Sequence, residues 1–230
     1  MQRFSLGALI AAVVCLAPAV ASAGIYTFAA SAPAGSGNQA RSATATFTTS
    51  TNGLVIVIEN LQDDGAISNQ AVSGIQFTLS GSPTGESFVS GISQAVTIED
   101  DGTFALGVGA YNTTRWHVEA SPHAITAIGG GQPDEMIIGE PIGLGYRANG
   151  GPDNFNPYLY KQATFTLAYT GGVTSSSTIS NVTFAFGTGP DSLLTGTPVF
   201  HNPEPAAFVI WGLGALGIAG FRFVCRKRAT

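Results

Sequence analysis

Ala43-Thr44-Ala45-Thr46-Phe47-Thr48 alternates apolar and polar side chains with a period of two, and Leu54-Val55-Ile56-Val57-Ile58 follows as a near-continuous β-branched run. Alternation puts Ala43, Ala45 and Phe47 on one face of a strand. The unbroken run predicts a strand covered on both faces. The same alternation returns three times: Ile75, Phe77 and Leu79 between Gln76, Thr78 and Ser80; Phe165, Leu167 and Tyr169 within 163–169; and Val182, Phe184 and Phe186. Turn signals separate these runs at Asp63-Asp64-Gly65, Ser80 to Gly85, Asp100-Asp101-Gly102, Gly129-Gly130-Gly131 and Gly171-Gly172. No window between them carries a helical period. The reading is an all-β fold, an antiparallel β-sandwich or jelly roll.

Two stretches are less regular. Gly129 to Pro157 holds Pro133, Pro141, Pro152 and Pro157 among many glycines. It is long for a structureless loop, so either a short strand lies near Met136-Ile137-Ile138 or the segment serves a purpose. Residues 188–202 read as a stalk, in which Thr195 to Asn202 is either spacer or one edge strand.

Charge excludes one class of partner. All fourteen acidic side chains lie between Glu59 and Glu204, and residues 24–204 hold four basic ones, Arg41, Arg115, Arg147 and Lys161, which gives that region a net charge of −10. Nucleic-acid binding needs basic clusters to replace phosphate counterions, so that partner is excluded.

Both ends carry sorting signals. Arg3, the apolar stretch Leu6 to Leu16 and Ala21-Ser22-Ala23 form a secretory signal peptide over residues 1–23, with cleavage after Ala23 and a mature start at Gly24. Of the two cysteines, Cys15 leaves with the signal and Cys225 lies in the C-terminal tail, so the exported domain holds no disulfide. At the other end Pro203-Glu204-Pro205 precedes an apolar run from Ala206 to Phe221 and the basic residues Arg222, Arg226, Lys227 and Arg228. Sixteen helical residues cover about 24 Å, and extension to Cys225 with a snorkelling Arg222 reaches a hydrocarbon thickness of about 30 Å. The terminal cluster orients the helix with its C-terminus cytoplasmic.

This order of motif, short apolar helix and basic finish resembles the C-terminal tag of the PEP-CTERM family, exported bacterial proteins processed by the membrane protease-transpeptidase exosortase. The β-rich body is similar to ectodomains of that family at Val55-Ile56-Val57-Ile58-Glu59-Asn60-Leu61, at Gly74 to Gly81, at Asn156-Pro157-Tyr158-Leu159 and at Asn181 to Thr188. The organisation expected is a signal peptide (1–23), a β-sandwich ectodomain (24–187), a stalk (188–202) and a sorting tag (203–230). The tag divides into motif 203–205, transmembrane helix 206–225 and basic tail 226–230. The resemblance implies signal peptidase and exosortase as processing partners, and the membrane as a transient one. It also implies an inner-membrane intermediate, then the surface or polysaccharide matrix of a Gram-negative bacterium. The function expected is structural or adhesive, associated with extracellular polysaccharide and not enzymatic. The alternatives are a glycan-binding module, a polysaccharide-active hydrolase, and an uncleaved single-pass anchored protein.

Chemistry-bearing residues are few. His117, Glu119 and His123 offer donors for zinc, without a fourth ligand or a His-Glu-x-x-His helix. No Gly-x-Ser-x-Gly elbow is present. Glu99, Asp100 and Asp101, like Asp134 and Glu135, read as solvated turn acids rather than a glycosidase pair. Asp153, Asn154 and Asn156 are the candidate calcium ligands, through oxygens at close spacing. Tyr111, Trp116 and Tyr158 are candidates for an aromatic sugar platform. No catalytic residue and no other cofactor are assigned.

Overall fold

The computed structural model describes residues 23–34, 40–62, 68–99, 101–120, 123–128, 133–140, 155–189 and 192–199. The first half of the chain holds β1 (Gly24–Ala32), β2 (Arg41–Ser50), β3 (Gly53–Asn60), β4 (Val72–Leu79), β5 (Ser87–Ile98), β6 (Phe104–Leu106) and β7 (Tyr111–Asn112). The second holds β8 (His117–Ala120), β9 (His123–Thr126), β10 (Ile137–Ile138), β11 (Tyr158–Ala168), β12 (Ile179–Phe186), β13 (Leu193–Thr195) and β14 (Thr197–Val199). The hydrogen-bonded order is β13-β12-β4-β10-β11-β3-β2-β1-β14, with β5 branching from β11 to carry β6 and β7, and β9 branching from β4 to carry β8. The chain is all-β in this region. Among the described residues no helix is long and apolar enough to cross a membrane. Residues 1–22 and 200–230, which hold most of the signal peptide and the whole sorting tag, lie outside them.

The alternating segments become strands with the expected faces inward. Ala43, Ala45 and Phe47 of β2 are buried, as are Ile75, Phe77 and Leu79 of β4, Phe165 and Leu167 of β11, and Val182, Phe184 and Phe186 of β12. The run in β3 departs from expectation. Leu54, Ile56 and Ile58 are buried, but Val55 and Val57 are only half-buried. Their neighbours explain it: Val57 lies between Thr46 and Thr164, and Val55 between Thr48 and Thr166. The outer face of these three strands is thus a ladder of threonine and valine, which suits β-branched residues without a covering layer.

A strand that is covered on both faces is β10. Ile137 packs into the main core, while Ile138 joins a second cluster of Ala71, Val96, Ile98, Met136 and Tyr158. Here the sheet also departs from a purely antiparallel one, because β10 pairs antiparallel with β4 and parallel with β11. Nineteen residues separate the end of β10 from the start of β11, long enough for the return a parallel pair requires.

The sheet folds over its core. Phe47 of β2 and Phe77 of β4 are four strands apart along the path, yet their rings meet edge-on at 5.2 Å, and Phe28 of β1 meets Phe47 at 5.9 Å. Burying each such ring contributes about 2 kcal/mol. Of the segment Thr195 to Asn202, read as spacer or edge strand, the described part holds strand: β13 ends at Thr195 and pairs with β12, and β14 (Thr197–Val199) sits next to β1, while 200–202 lie outside the described residues. Gly196 joins the two, its N–H donating to Val182 O at 2.8 Å. A Cβ there would press on Phe184, Phe28 and Val182 at 3.1–3.3 Å, so glycine lets the chain cross close over the core.

Candidate functional site

Among the described residues two carboxylates are buried, those of Glu86 and Glu135, and both accept hydrogen bonds within the fold. Glu135, between the buried Pro133 and β10, is 1% exposed and has a left-handed backbone with φ of 63°. Its carboxylate accepts from the Tyr111 hydroxyl at 2.8 Å, the Thr114 N–H at 2.9 Å, the Thr114 hydroxyl at 2.9 Å and the Arg115 N–H at 2.9 Å. Its own carbonyl accepts from Trp116 Nε1 at 2.8 Å, and its N–H donates to Pro157 O at 2.8 Å. One residue, through its side chain and its backbone, thereby ties the β7–β8 connection to Pro157, just before β11. The adjacent Arg115–Asp134 pair, at 3.2 Å, is solvent-exposed on the arginine side and adds little.

Glu86 follows the turn Ser80 to Gly85, and its side chain is buried. It accepts from the Tyr169 hydroxyl at 2.8 Å and from His123 Nδ1 at 2.7 Å. Phe77 stacks on the His123 ring at 6.2 Å, fixing its plane.

Burial, with the Glu135 carboxylate beside it, pushes the Tyr111 hydroxyl up to about 12. Burial, with Glu86 as partner, moves Tyr169 further in the same direction. A phenol whose folded pKa exceeds its unfolded value contributes stability that is whole below the unfolded pKa of about 10 and is lost as pH rises towards the folded value. The melting temperature is therefore expected to hold to about pH 10 and then fall, with a shallower fall in Tyr169→Phe; equal slopes in both proteins would contradict this assignment.

The residues singled out in the sequence fall out as follows. His117 and His123 stand at opposite ends of the β8–β9 hairpin, since His117 faces Thr126 and Ala120 faces His123. His117 lies 3.8 Å from Glu119, whereas His123 belongs to Glu86; among the described residues no three metal-binding side chains converge. Asn156 donates to Ile98 O at 2.7 Å and accepts from Ile98 N at 2.9 Å, so its amide pairs with β5 in the manner of a strand. Asp153 and Asn154 lie outside the described residues. Trp116 and Tyr158 are buried in two different apolar clusters, and Tyr111 is tied to Glu135, so the three form no exposed platform. Asp101 accepts from the Thr103 N–H at 2.9 Å, as a turn acid does. Glu135 is the exception to the solvated reading, because four donors replace water around it. The sequence reading missed Glu86 entirely.

Of the expected processing residues, Ala23 and Gly24 are described. Gly24 opens β1, pairs with Thr49, and its N–H donates to Ser175 O at 2.9 Å. Ala21, Pro203, Glu204, Pro205, Arg222, Arg226, Lys227 and Arg228 lie outside the described residues.

Two depressions flank Leu193. The first, about 220 Å³, is lined by residues of β4, β8, β9 and β12, among them Ile75, Gln76, Glu119, Ile125 and Ala185. The second, about 500 Å³, is polar and lined by Arg41, Asn69, Phe186, Thr188, Gly189, Ser192 and Leu193. Comparison of the chain with protein-family models, curated proteins and solved structures finds no match in any of the three.

Proposed function

We propose that this chain is an exported bacterial surface or matrix protein, delivered through a PEP-CTERM-type C-terminal signal and acting as a structural or adhesive element rather than an enzyme. The observation that carries the reading is the position of the fold's limits. The first strand opens at Gly24, the expected mature start, and the last described strand ends at Val199, four positions before Pro203. The strands thus lie between the two segments that processing enzymes would recognise. The use of Glu86 and Glu135 as hydrogen-bond acceptors within the fold also supports a scaffold over a hydrolase. We read the folded-over sheet as a two-layer β-sandwich of the jelly-roll kind, supported by the Phe47–Phe77 contact across its layers. The site of action is the cell surface or extracellular matrix of a Gram-negative bacterium.

Intact mass spectrometry of the protein recovered from its native host tests this. The expected mature chain starts at Gly24 and has lost the segment beyond Pro203–Pro205. A chain that starts at Gly24 but retains Thr230 would establish a permanent membrane anchor instead. Neutralising Arg226, Lys227 and Arg228 together is expected to impair retention and processing.

A second reading, a glycan-binding module, is favoured by the polar cleft around Arg41.

A further inference from the structure

Among the described residues Arg115 pairs with Asp134 and Lys161 with Glu140, while Arg41 has no carboxylate partner. Arg41 opens β2, and its side chain reaches across to the end of β12. The guanidinium lies 5.8 Å from the centroid of the Phe186 ring, and Nη1 donates to the Ser192 hydroxyl. Its Nε is buried and has no hydrogen-bond partner. A guanidinium carries five N–H donors in a rigid fork, and in folded proteins a buried donor nearly always finds an acceptor. A cation without a carboxylate partner, held over a ring and with one donor already fixed, is prepared for an acceptor that arrives from the cleft.

The surroundings define that acceptor. One cation matches one negative charge, and Arg41 is the one charged side chain among the described residues lining the cleft. Phosphate or sulfate groups in a strongly acidic domain would call for more positive charge than this. A carboxylate needs only the one guanidinium and fits its fork. The other polar side chains are the amide of Asn69 and the hydroxyls of Thr188 and Ser192. These neutral groups donate and accept, as the ring hydroxyls of a sugar require. A cleft of about 500 Å³ falls in the range of small-molecule sites.

We propose that the Arg41 cleft binds a carboxylate-bearing sugar, a uronate unit of an acidic saccharide, with Arg41 on the carboxylate and Asn69, Thr188 and Ser192 on the hydroxyls. The carboxylate half of this assignment stands on the cleft alone. The saccharide half rests on the surface-protein reading. Recognition of one charge among many hydroxyls gives discrimination between acidic and neutral chains of the same shape.

Isothermal titration of the full-length chain with oligoglucuronate, and with the neutral oligoglucose of equal length, tests it. The acidic oligomer is expected to bind at least tenfold more tightly, with an affinity that falls as salt rises. Arg41→Gln is expected to weaken binding at least tenfold. Ser192→Ala, which leaves the fold's charges untouched, is expected to weaken it less, and a thermal melt of each variant checks that it is folded. Equal affinity for the two oligomers, or full binding by folded Arg41→Gln, overturns the proposal. Acetate as tight a ligand as glucuronate overturns the saccharide half, independently of whether the mass spectrum shows export.

Discussion

Replacing Glu135 with alanine is expected to lower the unfolding free energy by about 3–5 kcal/mol, the range seen when one partner of a buried charged network is removed. The substitution deletes an acceptor and leaves its donors behind. The N–H groups of Thr114 and Arg115, fixed in the backbone, would face a cavity, and the Tyr111 hydroxyl would lose its partner. The left-handed backbone at this position strains glutamate and alanine alike, so the loss comes from the orphaned donors and the cavity. Glutamine keeps one acceptor oxygen but presents an NH2 to donors, so Glu135→Gln should recover only part of the loss. Urea denaturation of the three proteins at neutral pH measures the series, and an alanine variant within about 1 kcal/mol of the parent would show that Glu135 is not the tie that holds the β7–β8 connection.

Gly139→Ala is expected to cost about 3 kcal/mol, the upper end for overpacking. A Cβ on Gly139 would lie 1.7 Å from the carbonyl oxygen of Gln62 and 2.7 Å from its carbonyl carbon. Those are backbone atoms, so no rotamer change relieves the clash. Nor is the backbone free to retreat. The Gln62 N–H donates to Asn60 Oδ1 at 3.0 Å, and Asn60 Nδ2 donates to Gln70 O at 2.8 Å and Ile137 O at 2.9 Å. Moving Gln62 therefore disturbs the amide that joins the end of β3 to β10. The variant should melt lower by several degrees while keeping its β-type circular dichroism; an unchanged melting temperature would show that this approach of two backbones is looser than described.

The inner faces of β2, β4, β11 and β12 were legible because each has one wet and one dry face, and a period of two records that directly. β5 was not, although it is the longest strand. Its pairing with β11 shifts register twice, between Leu159 and Ala163 and between Thr166 and Leu167, so its apolar residues do not keep a simple alternation. β1 was hidden by small residues, with alanine in place of bulky side chains over Ala29, Ala30 and Ala32. The buried carboxylates were invisible for a different reason. Half of the donors to the Glu135 carboxylate are backbone N–H groups, and the sequence carries no mark for where a backbone donor points. Tyr111 and Trp116 hinted at a missing acceptor, since buried phenol and indole groups seek one, but nothing in their spacing identifies Glu135 as that acceptor. The Arg41 cleft depends on the start of β2 meeting Ser192, just before β13 and 151 positions away, which only the folded sheet reveals.

The crossing at Gly196 has a mechanical consequence. A protein loaded by a pull on its C-terminal side receives the force first through β14, three residues, and then through β13, three more. Strands this short, with Gly196 between them, are expected to be the first to peel under such a load. Releasing residues 193–199 would lengthen the chain by about 24 Å, at roughly 3.4 Å per extended residue. The Phe47–Phe77 contact and the β2–β3–β11 ladder lie outside that seam. The seam is a fuse: it gives way early, absorbs a pull, and spares the core strands that would be slow to rebuild.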